Sequence, residues 1–300
     1  MQVSTKLYNE QSINRFSDIS GDIQKLQSRI ATGKNVLKAS DDPVAMINIS
    51  AAKEKQSQLE RYASNIDRSM GRLGMAETSL SEMQSVLTRV YELSIQAKND
   101  TYNHSDRKAI QVEMIELREL MLDMANVKDS DGNSLFSGYK SNVTPFITLE
   151  DGTTEYQGDQ GDHVVPISEN LTMPTSLNGA DAFMRVNTDE GYTSVFTVMD
   201  NLIREVEYNG GSDSTLRDLK DSIDHLSINV TKMGALLNKA ESQKNLIDQR
   251  QLMITETLSG LEDADIAKLV TKMQSLMVSR DAAQQSFVMI GQQNLFDFLR

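Results

Sequence analysis

Asp129-Ser130-Asp131-Gly132-Asn133-Ser134 places side-chain oxygens at the first, third and fifth positions of what opens like a calcium-binding loop. Such a loop closes on a bidentate acid at its twelfth position, which in this chain is Lys140. A cation there cannot ligate a cation, so the stretch reads as an Asp/Asn/Gly turn. The three histidines, His104, His163 and His225, are far apart in the chain and fall in no metal-ligand or triad spacing. Glycines form neither a phosphate loop nor a dinucleotide fingerprint. Adjacent carboxylates at Asp41-Asp42 and Glu262-Asp263 stand at helix boundaries, where the helix dipole favours acids as caps. These residues lead to no catalytic, cofactor-binding or metal site and no enzyme class.

Composition narrows the remaining classes. The chain has 300 residues, ample for two or more domains, and a formal charge of −13, which argues against a dedicated nucleic-acid binder. Cysteine is absent, which removes thiol chemistry and disulfides but selects no compartment. No apolar run is long enough for membrane insertion, and no apolar segment follows the first residues to make a cleaved signal. Aromatic residues make up only 5%, so helix packing is expected to rely on Leu, Ile and Met.

What organises the chain is a stripe. Leu216, Leu219, Ile223, Leu226, Val230, Met233, Leu237, Ala240, Ile247, Ile254, Leu258 and Leu261 step by threes and fours, interrupted only by Lys244 and Gln251. That gives 12 apolar residues at 14 positions, where chance would supply about 5 or 6. A helix this long needs a partner. The second stripe, Leu59, Tyr62, Ile66, Leu73, Ala76, Leu80, Met83, Leu87, Val90 and Ala97, with small polar gaps at Ser69 and Ser94, is the expected mate. The intramolecular seam is therefore assigned to Leu59, Ile66, Leu73, Leu80 and Leu87 against Leu216, Ile223, Val230, Leu237 and Ile254.

Shorter elements complete the layout. A helix over about 9–31 ends at Gly33, and Asp42-Pro43 starts the next as cap and first helical residue. Residues 99–105 read as a turn before a third helix carrying Ile110, Met114, Leu117, Met121 and Met124. Between 130 and 180 the texture becomes β-prone, with a hairpin expected around Asp151-Gly152 and weaker strands at 164–167 and 171–173. A short helix over about 192–207 follows, and the long stripe is expected to bend at Ser259-Gly260. The expected fold is mainly α with a small β-rich insertion, built on an antiparallel long-helix coiled-coil or bundle rod. Terminal helices pair at one end and the β domain lies at the other. The expected domains are a terminal assembly domain (1–42 and 262–300), a rod (43–130 and 208–261) and an outer insertion (131–207).

Both chain ends carry narrow apolar seams. One is Ile13, Phe16, Ile19, Ile23, Leu26 and Ile30; the other is Leu269, Met273, Leu276, Ala283, Phe287 and Ile290, followed by Leu295, Phe296, Phe298 and Leu299. Narrow seams suit helix-on-helix assembly, so these residues are the candidate assembly interface. Phe287 is expected to meet a neighbouring subunit rather than its own chain. Methionines in the inner helices read as core filler, and those of the last helix as interface.

Several stretches resemble the bacterial flagellin family. They are Ala39-Ser40-Asp41-Asp42-Pro43 after Ile30-Ala31-Thr32-Gly33-Lys34, then Arg89-Val90-Tyr91-Glu92-Leu93-Ser94-Ile95-Gln96-Ala97, and Ala264-Asp265-Ile266-Ala267-Lys268-Leu269-Val270-Thr271-Lys272-Met273. Leu135-Phe136-Ser137-Gly138-Tyr139-Lys140 and Leu295-Phe296-Asp297-Phe298-Leu299 resemble the family members that join hook to filament. The resemblance implies a secreted structural subunit of the flagellum, exported by the flagellar type III apparatus. Its implied partners are flagellin, another hook-associated junction protein, copies of itself and an export chaperone. Filament flagellin and a self-contained coiled-coil adaptor are the alternatives.

Overall fold

Asp42 accepts hydrogen bonds from the backbone N–H groups of Val44 (3.0 Å) and Ala45 (2.9 Å), and Pro43 occupies the first helical position. The cap and proline thus start a 55-residue helix where the sequence places them. In the computed structural model, which describes residues 2–209 and 211–292, the chain is mostly helical. The order is α1 (Gln2–Thr32), α2 (Pro43–Ala97), α3 (His104–Ala125), β1 (Phe146–Thr148), β2 (Thr154–Tyr156), β3 (Val164–Pro166), β4 (Thr172–Pro174), α4 (Gly179–Phe183), β5 (Val186–Thr188), β6 (Gly191–Thr193), α5 (Val195–Asn209), α6 (Asp213–Glu262) and α7 (Ile266–Gln292). The strands form three separate antiparallel hairpins, β1–β2, β3–β4 and β5–β6.

Several boundaries differ from those read in the sequence. α1 begins at Gln2 rather than near residue 9, and α5 is shifted to Val195–Asn209. α6 does not bend at Ser259-Gly260 but runs on to Glu262. Glycine weakens a helix without forbidding it. The break comes at Asp263-Ala264-Asp265, where Ala264 N–H donates to the Gly33 carbonyl (2.9 Å) and Asn35 N–H to that of Glu262 (2.6 Å). Gly33, at φ 71°, ends α1 in the left-handed conformation that glycine adopts most readily. The β5–β6 hairpin and α4 carry no strong pattern in the sequence.

The chain divides into two compact units. In the first, Leu59–Gln249, α2 and α6 run antiparallel. Lys98 pairs with Asp213, the Glu77 carboxylate lies over Gly234, and Lys244 Nζ reaches Asp67 Oδ1 at 2.5 Å. From one contact to the next α2 steps back by 21 and then 10 residues, while α6 advances by 21 and then 10, so one register holds throughout.

On α2 the seam residues Leu59, Ile66, Leu73, Leu80 and Leu87 are buried, as are Ser69 and Ser94 in the small polar gaps. The Ser69 and Ser94 hydroxyls donate to the carbonyls of Asn65 and Val90, so their burial leaves no donor unmet. On α6 the seam is displaced. Leu219, Leu226, Met233, Ala240 and Ile247 are buried together with Ser222 and Asn229, whereas Leu216, Ile223, Val230, Leu237 and Ile254 are half-buried. Two small polar residues sit deeper because their hydroxyl and amide bond back to the Asp218 and His225 carbonyls.

Past Ala76 the buried face of α2 widens to include Ser79, Val86 and Leu93, the pattern of a bundle rather than a two-helix seam. α3 supplies part of the cover: the Ser79 hydroxyl donates to the Met124 carbonyl at 3.1 Å. α3 starts with a reciprocal capping box between Asn103 and Asp106 and packs along α5. Its buried residues are Ile110, Met114, Arg118, Met121 and Ala125. Arg118 was not visible as a core position. Its guanidinium meets Asp200 of α5 (Nε–Oδ1 2.5 Å), the Gly152 carbonyl (3.1 Å) and Thr154 Oγ1 (2.9 Å), pinning the β1–β2 hairpin to α3 and α5.

The stretch 131–207, expected as an outer insertion, packs inside this same unit. Phe136, Phe146, Phe183 and Phe196 are fully buried, and Phe146 contacts Phe183, Phe196 and Tyr156 at centroid distances of 5.4, 5.6 and 5.1 Å. Aromatics scarce in the helices are thus pooled where short strands cannot bury enough aliphatic surface. Leu135-Phe136-Ser137-Gly138 is buried in this core, and Tyr139 and Lys140 emerge from it exposed. Gly138 has φ 69° and approaches Asp159 so closely that a Cβ would fall 2.2 Å from Oδ1. That oxygen accepts from the Tyr139 and Gly161 N–H groups, holding the Asp159 carboxyl below its usual range.

The other unit consists of Met1–Gln58 and Arg250–Arg300. Within it α1 packs along α7, and Val36, Ile49 and Leu258 form a small core flanked by Ala45, Ala52, Ile254 and Leu261.

Candidate assembly interface

Glu262 closes the α6 end of this second unit. Its carboxylate takes Lys34 Nζ at 2.9 Å and Lys53 Nζ from α2, with its side chain only 13% exposed. The Lys53 and Lys34 hydrogen bonds hold the Glu262 carboxyl below its ordinary value. The same segments pair through backbone as an isolated antiparallel bridge, Lys34 opposite Asp263. Asp41 serves the neighbouring turn. Its Oδ2 accepts from the N–H groups of Lys38 (3.1 Å) and Leu37 (3.2 Å), which lowers its pKa. Of the two adjacent acids, Asp41 closes the 37–41 turn and Asp42 caps α2.

The terminal seams are brought together within one chain. Ile23 and Leu26 are buried; Phe16, Ile19, Ile30, Leu269, Met273, Leu276, Ala283 and Phe287 are half-buried. Phe287 faces Phe16 of its own chain, contrary to its expected place against a neighbour. Two seams at the same helical spacing satisfy each other first, because the covalent chain already holds them in one molecule. Ile13 stays 60% exposed. Ile290 lies in α7, with its side chain beyond those described, and Leu295, Phe296, Phe298 and Leu299 lie outside the described residues.

A second apolar face lies outside the three–four stripe. Val278, Val288 and Met289 of α7 are 69%, 52% and 65% exposed, as are, to similar degrees, Leu7 of α1, Val44 and Ile47 of α2, and Leu252 and Met253 of α6. The signal was present: apolar residues on α7 are not confined to the three–four stripe. Surface this apolar marks interaction sites in water. In the calcium-like stretch, by contrast, the Asp129 side chain is turned inward while Ser130, Asp131 and Gly132 are exposed. Asp129 Oδ1 accepts from Asp131 and Asn133 N–H, and its Oδ2 pairs with Arg72, so the carboxylate serves the turn. Among the described residues no group of three or more His, Asp or Glu is placed to hold a metal ion, and no helix is long and apolar enough to cross a membrane.

A chain whose two ends pair as helices, while large apolar side chains remain on that unit's surface, belongs to the class of helical assembly proteins. The family models are specific on this point. Residues 3–141 match the bacterial flagellin N-terminal helical region and residues 216–299 the bacterial flagellin C-terminal helical region. The chain belongs to the bacterial flagellin family. It is 23% identical to flagellar hook-associated protein 3 of Salmonella typhimurium, over 100% of both chains. It is 24% identical to a flagellin of Bacillus subtilis, again over 100% of both. The crystal structure of flagellar hook-associated protein 3 from Legionella pneumophila is similar in fold, with a TM-score of 0.66 at 18% identity, covering 71% of this chain and 98% of that one.

Proposed function

We propose that this chain is a structural subunit of the bacterial flagellum that joins the hook to the flagellin filament. The observation that carries an assembly role is the apolar surface left on the unit formed by both chain ends: Leu7, Ile13, Val278, Val288 and Met289 are exposed although α1 and α7 already pack on each other. Burying such surface between subunits releases roughly 25 cal/mol per Å². The junction role is supported by full-length similarity to a hook-associated protein 3 and by likeness to a hook-associated crystal structure. Against filament flagellin stand Asp42-Pro43, where flagellins more often continue Asp-Asp-Ala-Ala, and the bulky Phe296 and Phe298 of the sequence.

In this reading the protein is not an enzyme. It leaves the cell through the flagellar type III apparatus and works outside it. It contacts the other hook-associated junction protein on one side and flagellin on the other, beside further copies of itself. The C-terminal seam, from Leu269 through Leu299, binds an export chaperone before assembly. Immunogold labelling of isolated flagella tests the placement. Label confined to a short zone between hook and filament is expected; label along the whole filament would make the chain a flagellin.

A further inference from the structure

Charge is divided unequally between the two units. Met1–Gln58 with Arg250–Arg300 holds 13 Lys and Arg against 12 Asp and Glu, whereas Leu59–Gln249 holds 17 against 31. Copies brought side by side would therefore repel through the Leu59–Gln249 unit and not through the other.

Within the near-neutral unit one groove is basic. It measures 390 Å³ and lies between one face of α1 and the 37–41 turn, with Lys25, Arg29 and Lys38 on its walls. Asp41 in the same groove is already engaged by two backbone N–H groups, and Asp22 meets Lys25 only at 3.7 Å. Asp22 and Asp41 offset two of these charges, Asp41 bearing on both Arg29 and Lys38, so the three cations exceed the neighbouring carboxylates by one.

The acid-rich unit carries a complement. The β5–β6 turn presents Asp189 and Glu190 beside Asp218 and Asp221 in the early turns of α6. Arg217, 3.7 Å from Asp189, partly offsets them, and burial with these like charges raises the Asp218 carboxyl above its ordinary range. Asp189 and Glu190 are exposed on this turn, and the groove is edged by cations.

We infer that the groove of Lys25, Arg29 and Lys38 receives the Asp189–Glu190 turn of a second copy of this chain, making a charge-steered contact between neighbouring subunits. The contact rests on the assembly role proposed above and names its partner surface. It relieves the carboxylate crowding at Asp218 and sets the register between copies, since charge pairs at an interface fix orientation more than they add affinity.

The chain has no cysteine, so an introduced pair reports the contact directly. Cells expressing Lys38→Cys and Glu190→Cys chains together would be oxidised gently, and their flagella isolated and blotted. A covalent dimer containing one chain of each kind is expected, absent with either variant alone. Adding Arg29→Glu and Lys25→Glu to the Lys38→Cys chain should lower its yield on the order of tenfold. Adding Asp218→Lys and Asp221→Lys to the Glu190→Cys chain as well should restore it. All of these side chains lie at the surface or half-buried, and thermal unfolding of each variant checks that it folds. Both variants present in flagella without the mixed dimer, or a dimer indifferent to the charge reversals, would overturn the contact and leave the junction role standing. Absence of the wild-type chain from flagella would remove the role and this contact with it.

Discussion

Phe16 and Phe287, from opposite ends of the chain, meet edge to face with ring centroids 5.9 Å apart and planes at 90°. The geometry matches the aromatic quadrupole, and such pairs couple by about 0.5–1.5 kcal/mol beyond the area they bury. A double-mutant cycle with Phe16→Leu and Phe287→Leu, read from hydrogen exchange in α1 and α7, should return a coupling in that range. Additive effects would show that the rings do not meet in the isolated subunit.

Leu80 and Leu226 are both fully buried, on α2 and α6 respectively. Leu80→Ala and Leu226→Ala should each destabilise the Leu59–Gln249 unit by about 2–5 kcal/mol. Denaturant unfolding followed by circular dichroism checks this, and wild-type midpoints in both variants would exclude the antiparallel pairing described here.

Arg118 and Asp200 form a largely buried ion pair that also holds the Gly152 turn. Arg118→Met strands a carboxylate in low dielectric and should cost about 3 kcal/mol, the lower part of the range because Asp200 keeps some access to water. Asp200→Asn keeps an acceptor and should cost less. Urea titration of both variants decides, and equal losses would mean that packing rather than charge dominates at this site.

The folded-state pKa of Glu262 is depressed, first by Lys53 and then by Lys34. A depressed carboxylate binds its proton more readily unfolded than folded, so it contributes stability above its unfolded value, near 4.5, and that stability is lost as pH falls through the lower folded value. Thermal unfolding of wild type and Glu262→Gln should therefore differ by a constant gap near neutral pH. The gap should close in acid, below the ordinary glutamate range. A gap independent of pH would mean that Glu262 acts without its charge.

Much of the helical layout was legible because it is written in spacing. Gly33 states where α1 stops, Asp42-Pro43 where α2 starts and the α2 stripe which face it buries, and Asp151-Gly152 announces the β1–β2 hairpin. Long-range charges could not be read, since nothing in the neighbourhood of Arg118 points to Asp200, or of Lys34 to Glu262. The inward shift of Ser222 and Asn229 was hidden for another reason: hydrophobic pattern ranks them as surface, while back-bonding to their own helix lets them be buried. The terminal stripes pack on each other, Phe16 on Phe287, while Val278 and Val288 of α7 lie exposed outside the three–four stripe and Met289 is exposed as an interface methionine would be.

The junction role requires this chain between hook and filament. Electron microscopy of cells lacking it, with the culture medium assayed for flagellin, tests that most directly. Hooks without filaments and flagellin shed into the medium are predicted, with filaments restored by the wild-type chain. Full-length filaments on cells without the protein would contradict the junction role.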